Sequence, residues 1–210
     1  MTRAEQAELR ELTQLIEKKL LKTILKKYGF KSISGTPYKV IGNWIYILFE
    51  TVYLHGIKIK IQVKPISLDD LFLEIFEMKE AADRMQFSFH VNAAFVPWAL
   101  TLESWDEPIA NIDDAERVLD QVIHLSDEKI MSYCEQIKTI QDYKDRLLQE
   151  KYVDELHCML CEIAVGDIQE AYDHAQKELA RGKTGGFQSV SGGSIYNYVI
   201  KYCEQRLVSD

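Results

Sequence analysis

The chain has 210 residues, of which 47% are hydrophobic and 28% are charged, and its formal net charge is −8 at pH 7. This length and composition allow one substantial core or two small ones, and they exclude an intrinsically disordered protein. Residues 1–65 contain twelve Lys and Arg against five Asp and Glu, whereas residues 66–210 contain thirteen against twenty-eight. The chain therefore joins a basic N-terminal part to an acidic remainder.

The expected location follows from targeting signals and cysteine usage. Charged residues interrupt every apolar run before about 18 residues, so we expect no transmembrane helix. The first residues, MTRAEQAELRELTQ, are polar and unlike a secretory signal peptide. The four cysteines do not have the spacing of a disulfide framework. We therefore expect reduced thiols and a soluble, cytoplasmic protein.

The first predicted element is a helix over residues 3–28, followed by Gly29, because glycine readily adopts the left-handed conformation of a helix end. Lys18, Lys22 and Lys26 follow one another at four-residue steps, so they should form a basic ridge along the helix. Apolar side chains at three- and four-residue steps predict one buried stripe on another side, formed by Leu9, Leu12, Ile16, Leu20, Ile24 and Tyr28.

Antiparallel strands are predicted next. A short strand over residues 38–41 leads through a Gly-Asn turn at residues 42–43. A hairpin of two longer strands follows, over residues 45–53 and 57–63.

The lysines of the second hairpin strand indicate which face meets solvent. This strand alternates apolar residues with polar ones, which predicts that Lys58, Lys60 and Lys64 lie on the solvent side of the sheet. A two-residue turn would put Glu50 on the apolar face and bury a charge at considerable cost. We therefore predict a three-residue loop with Gly56 in the left-handed conformation, which places Glu50 opposite Lys60.

Three further elements are predicted up to residue 108. Residues 67–78 begin with a serine cap and favour a helix, although alternating apolar positions leave a strand open. Residues 86–91 alternate and predict a strand, and another strand is expected near Leu100.

The remainder of the chain has a helical pattern. Helices are predicted over residues 113–124, 126–149, 153–165 and 168–180, then a Gly/Ser-rich loop over 182–193 and a last helix capped by Ser194. The predicted fold is α+β, with an N-terminal helix on an antiparallel sheet of about four or five strands and a C-terminal helical bundle. We place the helix and sheet at residues 1–108 and the helical extension at residues 109–210, packed on the sheet or continuous with it.

Cys158 and Cys161, preceded by His157, have the spacing of a zinc or redox CxxC motif. A zinc site would need two further ligands, for which Cys134 and Cys203 are the available thiols. Both residues of the motif fall inside a predicted helix, whereas such motifs usually lie on a tight turn or at a helix start. This context favours buried thiols that act as small hydrophobic side chains. We therefore predict neither a metal nor a cofactor.

The basic N-terminal part raises the question of a nucleic-acid partner. The net charge of −8 and the acidic remainder disfavour one, and no nucleic-acid-binding motif is found. We expect the lysines to face an acidic partner protein or the chain's own acidic helices, with a solvated lysine face as the alternative. A helical hairpin over residues 164–182, similar to one tetratricopeptide unit, is a second candidate interaction surface.

An enzyme with a site between the sheet and the helical bundle is the alternative function. Trp98, Trp105 and Ser194 are the candidates for lining such a pocket. The sequence contains no HExxH, Ser-His-Asp or nucleophile-elbow signature, so no catalytic residue is assigned. The oligomeric state is left open.

The segment from Gly29-Phe30 through Pro37-Tyr38 to the strand pair WIYILFE and IKIKIQV resembles a group of uncharacterised bacterial domains. In that group an N-terminal helix packs on a curved antiparallel sheet, and some members are found near toxin–immunity genes. The resemblance covers about residues 1–105. It implies a binding role, immunity- or adaptor-like, and no catalytic residues.

Overall fold

The computed structural model describes residues 1–78, 87–92, 99–111, 114–185 and 193–208. The chain forms two compact units: unit 1 is Met1–Lys64 with Ala99–Glu135, and unit 2 is Pro65–Trp98 with Gln136–Asp210. The expected boundary at residue 108 falls inside unit 1, because residues 99–135 belong to the same unit as the first 64 residues and residues 65–98 belong to unit 2. None of the described helices is long and apolar enough to cross a membrane.

Unit 1 contains a five-stranded antiparallel sheet, which confirms the predicted α+β class. Its strands lie side by side in chain order, so each one pairs with the next along the sequence. They are β1 (Lys31–Ile33), β2 (Thr36–Ile41), β3 (Trp44–Tyr53), β4 (Gly56–Pro65) and β5 (Leu100–Pro108).

Two tight turns join the first three strands. Ser34 and Gly35 connect β1 to β2, and both have positive φ, of 50° and 85°. Positive φ at both central residues is the geometry that two-residue hairpins favour. Gly42 and Asn43 connect β2 to β3, which confirms the predicted turn.

The loop between β3 and β4 is shorter than predicted. β3 ends at Tyr53 and β4 begins at Gly56, so the loop contains only Leu54 and His55. Gly56 does not have the positive φ that the predicted three-residue loop required. A Cβ at this position would lie 2.6 Å from the carbonyl oxygen of Glu107 on β5. The glycine is therefore needed for a close approach between strands and not for a turn.

The shorter loop exchanges the two faces of β3. Phe49, Thr51 and Tyr53 are exposed, whereas Glu50 is half-buried. The predicted pair between Glu50 and Lys60 is therefore wrong, because the Lys60 ammonium lies over the Phe49 ring, 5.4 Å from its centroid. A change of one residue in a hairpin loop moves alternate side chains to the opposite face of a strand.

The predicted N-terminal helix is present, with one irregular turn. It consists of α1 (Arg3–Leu15), a π-helical segment (Ile16–Leu20) and α2 (Leu21–Lys27). The wider π turn contains one extra residue, so the buried positions shift from Leu20 to Leu21. The predicted stripe is therefore correct at Leu12, Ile16 and Ile24 and displaced by one position at Leu20.

A single long helix, α5 (Ala115–Gln136), completes unit 1. The predicted break at Ser126 is wrong, because its buried hydroxyl donates a hydrogen bond to the Val122 carbonyl, 2.8 Å away, inside the helix. Tyr133 of α5 meets the rings of Trp44 and Tyr46 edge-on, with centroids 6.3 Å and 6.2 Å away. The long helix therefore packs on the β3 face opposite Phe49.

Unit 2 is helical. It contains α3 (Ile66–Ile75), α4 (Ser88–Asn92), α6 (Ile140–Leu147), α7 (Glu155–Val165), α8 (Ile168–Ala180) and α9 (Ile195–Leu207). The strand predicted over residues 86–91 is wrong for residues 88–91, which form α4, and Gln86 lies outside the described residues. The alternating apolar residues do not share a buried face in this helix, because Val91 is buried whereas Phe89 is exposed. His90 bonds to Asp69 of α3.

The predicted helical hairpin is formed by α7 and α8. Gly166, with φ of 94°, ends α7, and Asp167 precedes α8. Ala171 and Ala175 of α8 are fully buried, and these small side chains allow the neighbouring helices to approach closely. Ser194 caps α9 as predicted, through a reciprocal pair of contacts with Asn197.

Candidate protein-binding surfaces

One face of the unit 1 sheet leaves aromatic and lysine side chains in solvent. Val40, Phe49 and Tyr53 are 42%, 39% and 38% exposed, although large apolar side chains of strands are usually covered. Lys58 is exposed and Lys60 is half-buried. We call these five residues the open face.

The strand register places the members of the open face on one side of the sheet. Lys58 lies opposite Asp106 in the β4–β5 pairing. The Tyr53 hydroxyl donates a hydrogen bond to the Asp106 carboxylate, which raises the pKa of Tyr53. Lys60 stacks on Phe49, as described above. In the part of the chain that the structure describes, no carboxylate lies within ion-pair distance of Lys58 or Lys60.

Lys64 does not join this surface. It is predicted on the solvent side with Lys58 and Lys60, but its side chain is completely buried. Exposure falls along β4 from Lys58, through half-buried Lys60 and Gln62, to Lys64. Alternation along β4 predicted the correct face for Lys64, but it could not show that this end of the face is covered.

The predicted helix ridge borders a cleft between the N-terminal helix and the β1–β2 hairpin. Lys22 and Lys26 are exposed and line this cleft, together with Lys31 of β1. The backbone of Lys18 belongs to the π-helical segment, and its side chain lies outside the described part of the structure. We call this region the helix–hairpin cleft.

Glu50 also lines the cleft. Its partial burial raises the pKa of its carboxyl, and the nearby carboxylate of Glu17 raises it further. Both burial and the neighbouring Glu17 carboxylate oppose a negative charge on Glu50. This acidic group was expected on the solvent side, and the two-residue loop places it here instead.

Other lysines of unit 1 are neutralised by the acidic helix α5. The Lys27 ammonium lies 2.8 Å from the Asp120 carboxylate, and the Lys39 ammonium lies 2.5 Å from that of Asp127. Positive charge of unit 1 therefore faces the chain's own acidic helix at Lys27 and Lys39. These two residues are not among the lysines for which the sequence predicted such contacts, so that expectation stays a prediction. Among the residues that the structure describes, α5 forms no such ion pair with Lys58, Lys60, Lys22 or Lys26.

Unit 2 contains a buried carboxylate–imidazole pair that the sequence analysis missed. Asp69 of α3 is fully buried, and its carboxylate lies 2.7 Å from Nδ1 of His90 on α4. A carboxylate in this position holds an imidazole in one orientation, as it does in hydrolases that use histidine as a base. The sequence predicted a strand over residues 86–91, and that prediction did not place His90 beside Asp69 of α3.

A second group in unit 2 has potential metal ligands. Glu155, His174 and Glu178 place one ligand atom each within 4.8 Å of one another. Both ring nitrogens of His174 are already occupied, Nε2 by Glu155 at 2.8 Å and Nδ1 by Glu162 at 3.1 Å. The Lys183 ammonium lies 2.5 Å from Glu178. The Arg181 guanidinium also lies 2.5 Å from Glu178, so three basic groups face three carboxylates when His174 is protonated. These contacts account for the group as an ion-pair network within the protein.

The CxxC motif lies in the interior of α7. Cys158 and Cys161 are buried, and burial raises the pKa of each thiol to about 12. His157 is also buried, and its Nε2 lies 3.1 Å from the Tyr143 hydroxyl. Zinc and redox chemistry both use the thiolate, and a thiol with this pKa stays protonated at neutral pH.

The predicted pocket residues are not brought together in one described unit. Trp105 is half-buried on β5 of unit 1, whereas Ser194 caps α9 of unit 2. Trp98 lies outside the described residues. The hydroxyl of Ser194 donates a hydrogen bond to the Asn197 side chain, which accounts for this residue by its capping role.

Comparison with known proteins adds no relative. No protein-family model matches the chain, and no curated protein or solved structure matches it.

Proposed function

We propose that the protein is an interaction module that binds an acidic surface of another protein through the open face. The observation that carries this proposal is the exposure of Phe49 and Tyr53 beside Lys58 and Lys60, which have no described carboxylate partner. Aromatic side chains next to cations are typical of binding surfaces. The resemblance to bacterial domains near toxin–immunity genes supports an immunity- or adaptor-like role.

Affinity and selectivity for the partner depend on both types of side chain. Covering Phe49 and Tyr53 removes apolar area from water, which supplies affinity at roughly 25 cal/mol for each Å² covered. Lys58 and Lys60 add little affinity in water, but they favour a negatively charged partner and speed its association. An acidic protein satisfies both requirements. A nucleic acid would meet the repulsion of a chain with a net charge of −8.

The test is a pull-down from the source cells with wild-type protein and the variant Lys58→Glu/Lys60→Glu as bait. The control, Lys19→Glu/Lys138→Glu, makes the same change of net charge at two exposed lysines outside the open face. We expect an acidic partner that is recovered with wild type and control and lost with the open-face variant. Equal recovery with all three baits would contradict the proposal. We infer a cytoplasmic site of action as part of this proposal, because the four cysteines are free thiols.

A second candidate function is hydrolysis with His90 as the general base, oriented by buried Asp69. The test is a panel of chromogenic carboxylic and phosphoric esters, with His90→Gln compared with His124→Gln. His124 is a suitable control because its side chain is 55% exposed and lies on α5 of unit 1. Hydrolysis that is lost with His90→Gln and kept with His124→Gln would favour the enzyme. No turnover by the wild-type protein would eliminate it for these substrates.

A further inference from the structure

The two aromatic rings of the open face are each in contact with a neighbouring polar side chain. The Lys60 ammonium lies over the Phe49 ring, 5.4 Å from its centroid. The hydroxyl of Tyr53 donates a hydrogen bond to the Asp106 carboxylate. Tyr53 is nevertheless 38% exposed, and exposed side chains ordinarily exchange rotamers within nanoseconds. The contacts of Tyr53 therefore decide whether a partner meets one arrangement of this face or several.

The path of the Tyr53 side chain across the sheet restricts its motion further. Tyr53 is the last residue of β3 and Asp106 belongs to β5, so the ring must cross the intervening strand β4. It crosses at Gly56, where an added Cβ would lie 2.6 Å from Cζ of Tyr53. The ring thus lies directly against the glycine backbone. A flat position over β4, together with a hydroxyl bonded to β5, favours a single rotamer.

Asp106 also places a negative charge beside the lysines of the open face. Lys58 lies directly opposite Asp106 in the pairing of β4 with β5. Among the residues that the structure describes, however, Asp106 forms no ion pair within 4 Å. An acidic partner would be attracted by the lysines and repelled by this carboxylate. The hydrogen bond to Tyr53 is therefore maintained at some loss of attraction for such a partner.

We infer that Asp106 is a positioning residue of the open face, which holds the Tyr53 ring over Gly56 in the conformation that a partner protein contacts. This inference rests on the proposed function and adds to it the residue that prepares the surface. A ring that is already fixed loses less conformational entropy on binding, and aromatic side chains often dominate the energy of an interface. Binding through Tyr53 should consequently depend on Asp106, even without a contact between Asp106 and the partner.

The experiment separates the hydrogen bond from the charge by comparing two substitutions of Asp106. Asp106→Asn and Asp106→Ala remove the same charge, but only the asparagine carbonyl can still accept the hydrogen bond from Tyr53. Three-bond NMR couplings to the ring Cγ report the χ1 rotamer of Tyr53 in the full chain with labelled tyrosine. The signal of Tyr53 is assigned by its absence from Tyr53→Phe. Thermal unfolding of each variant verifies that it is folded.

We expect one rotamer of Tyr53 in wild type and Asp106→Asn, and an average of several in Asp106→Ala. Binding is measured by fluorescence anisotropy, with a fluorescein-labelled copolymer of Glu and Tyr as the acidic probe. Asp106→Ala should bind it about two- to tenfold more weakly than Asp106→Asn, the effect of one side chain that must be immobilised on binding. Adding Tyr53→Phe to Asp106→Ala should cause no further loss, because both changes remove the same hydrogen bond.

The outcomes distinguish this inference from the proposed function. Rotamer averaging of Tyr53 in wild type would overturn the inference, as would equal binding by the two Asp106 variants or additive losses in the double variant. These results leave the proposed function intact if copolymer binding is lost with Lys58→Glu/Lys60→Glu. Binding that this lysine variant retains, or no binding by wild type, would contradict the proposed function and remove the basis of the inference, even with a single Tyr53 rotamer.

Discussion

Gly56→Ala provides a direct test of how β3, β4 and β5 pack together. A methyl group at this position would lie 2.6 Å from the Glu107 carbonyl oxygen and 2.6 Å from Cζ of Tyr53. Tyr53 can rotate away, but Glu107 belongs to the backbone of β5, which is paired with β4. Relief of the contact therefore requires separation of two strands. Overpacking of this kind costs about 1–3 kcal/mol, which corresponds to a decrease in Tm of about 2–12 °C for a chain of this size.

Differential scanning fluorimetry and urea unfolding would measure the loss. Gly42→Asn is the matched control, because Gly42 has φ of 59° in an open turn and no atom lies within 4 Å of an added Cβ. Asparagine tolerates this conformation, so the control should change stability by less than about 0.5 kcal/mol. If Gly56→Ala were as stable as Gly42→Asn, the close approach of Gly56 to β5 would be refuted.

Three further predictions concern titratable groups. Burial raises the pKa of Glu50, so the stability contributed by its protonated form is present below the unfolded pKa and is lost as pH rises through the folded pKa. Glu50→Gln should therefore be more stable than wild type in urea at pH 7, with no advantage near pH 4; a constant difference across this range would contradict the assignment. Hydrogen bonds to Glu162 and Glu155 raise the pKa of His174, so the stability from its protonated form is present below an unfolded pKa of about 6.5 and is lost as pH rises through the folded value. The wild-type advantage over His174→Gln in urea midpoint should accordingly be larger at pH 6 than at pH 9, and the opposite order would be inconsistent with the network. Cys158 and Cys161, with thiol pKa values of about 12, should react with Ellman's reagent only after unfolding; rapid reaction in the native protein would show that they are accessible.

Most of the fold was predictable because it follows from local patterns. The N-terminal helix, the turn at Gly42 and the helical hairpin around Gly166 each depend on residues close together in sequence. The α+β class follows from the same patterns. The π turn was not predictable from the spacing, because Leu20 and Leu21 are both apolar and either can continue the stripe. Tertiary packing selected Leu21.

The errors in the candidate surfaces have one physical origin, which is contact between residues distant in sequence. The cost of burying Glu50 favoured a three-residue loop, but partial burial with a raised pKa lowers that cost. The role of Gly56 depends on Glu107, fifty-one residues later in the chain. The pairing of His90 with Asp69 likewise depends on two helices meeting. Periodicity along one segment contains no information about such encounters.

The interleaving of the two units has a consequence for synthesis of the chain. Unit 1 needs residues 99–135 to complete its sheet and its long helix, but the ribosome must first deliver residues 65–98, which belong to unit 2. Strand β4 is therefore synthesised before its neighbour β5, and its edge stays unpaired until β5 has been made. A stop codon anywhere before residue 135 would leave both units incomplete. In this gene, unlike one that encodes domains in tandem, early termination spares neither half of the product.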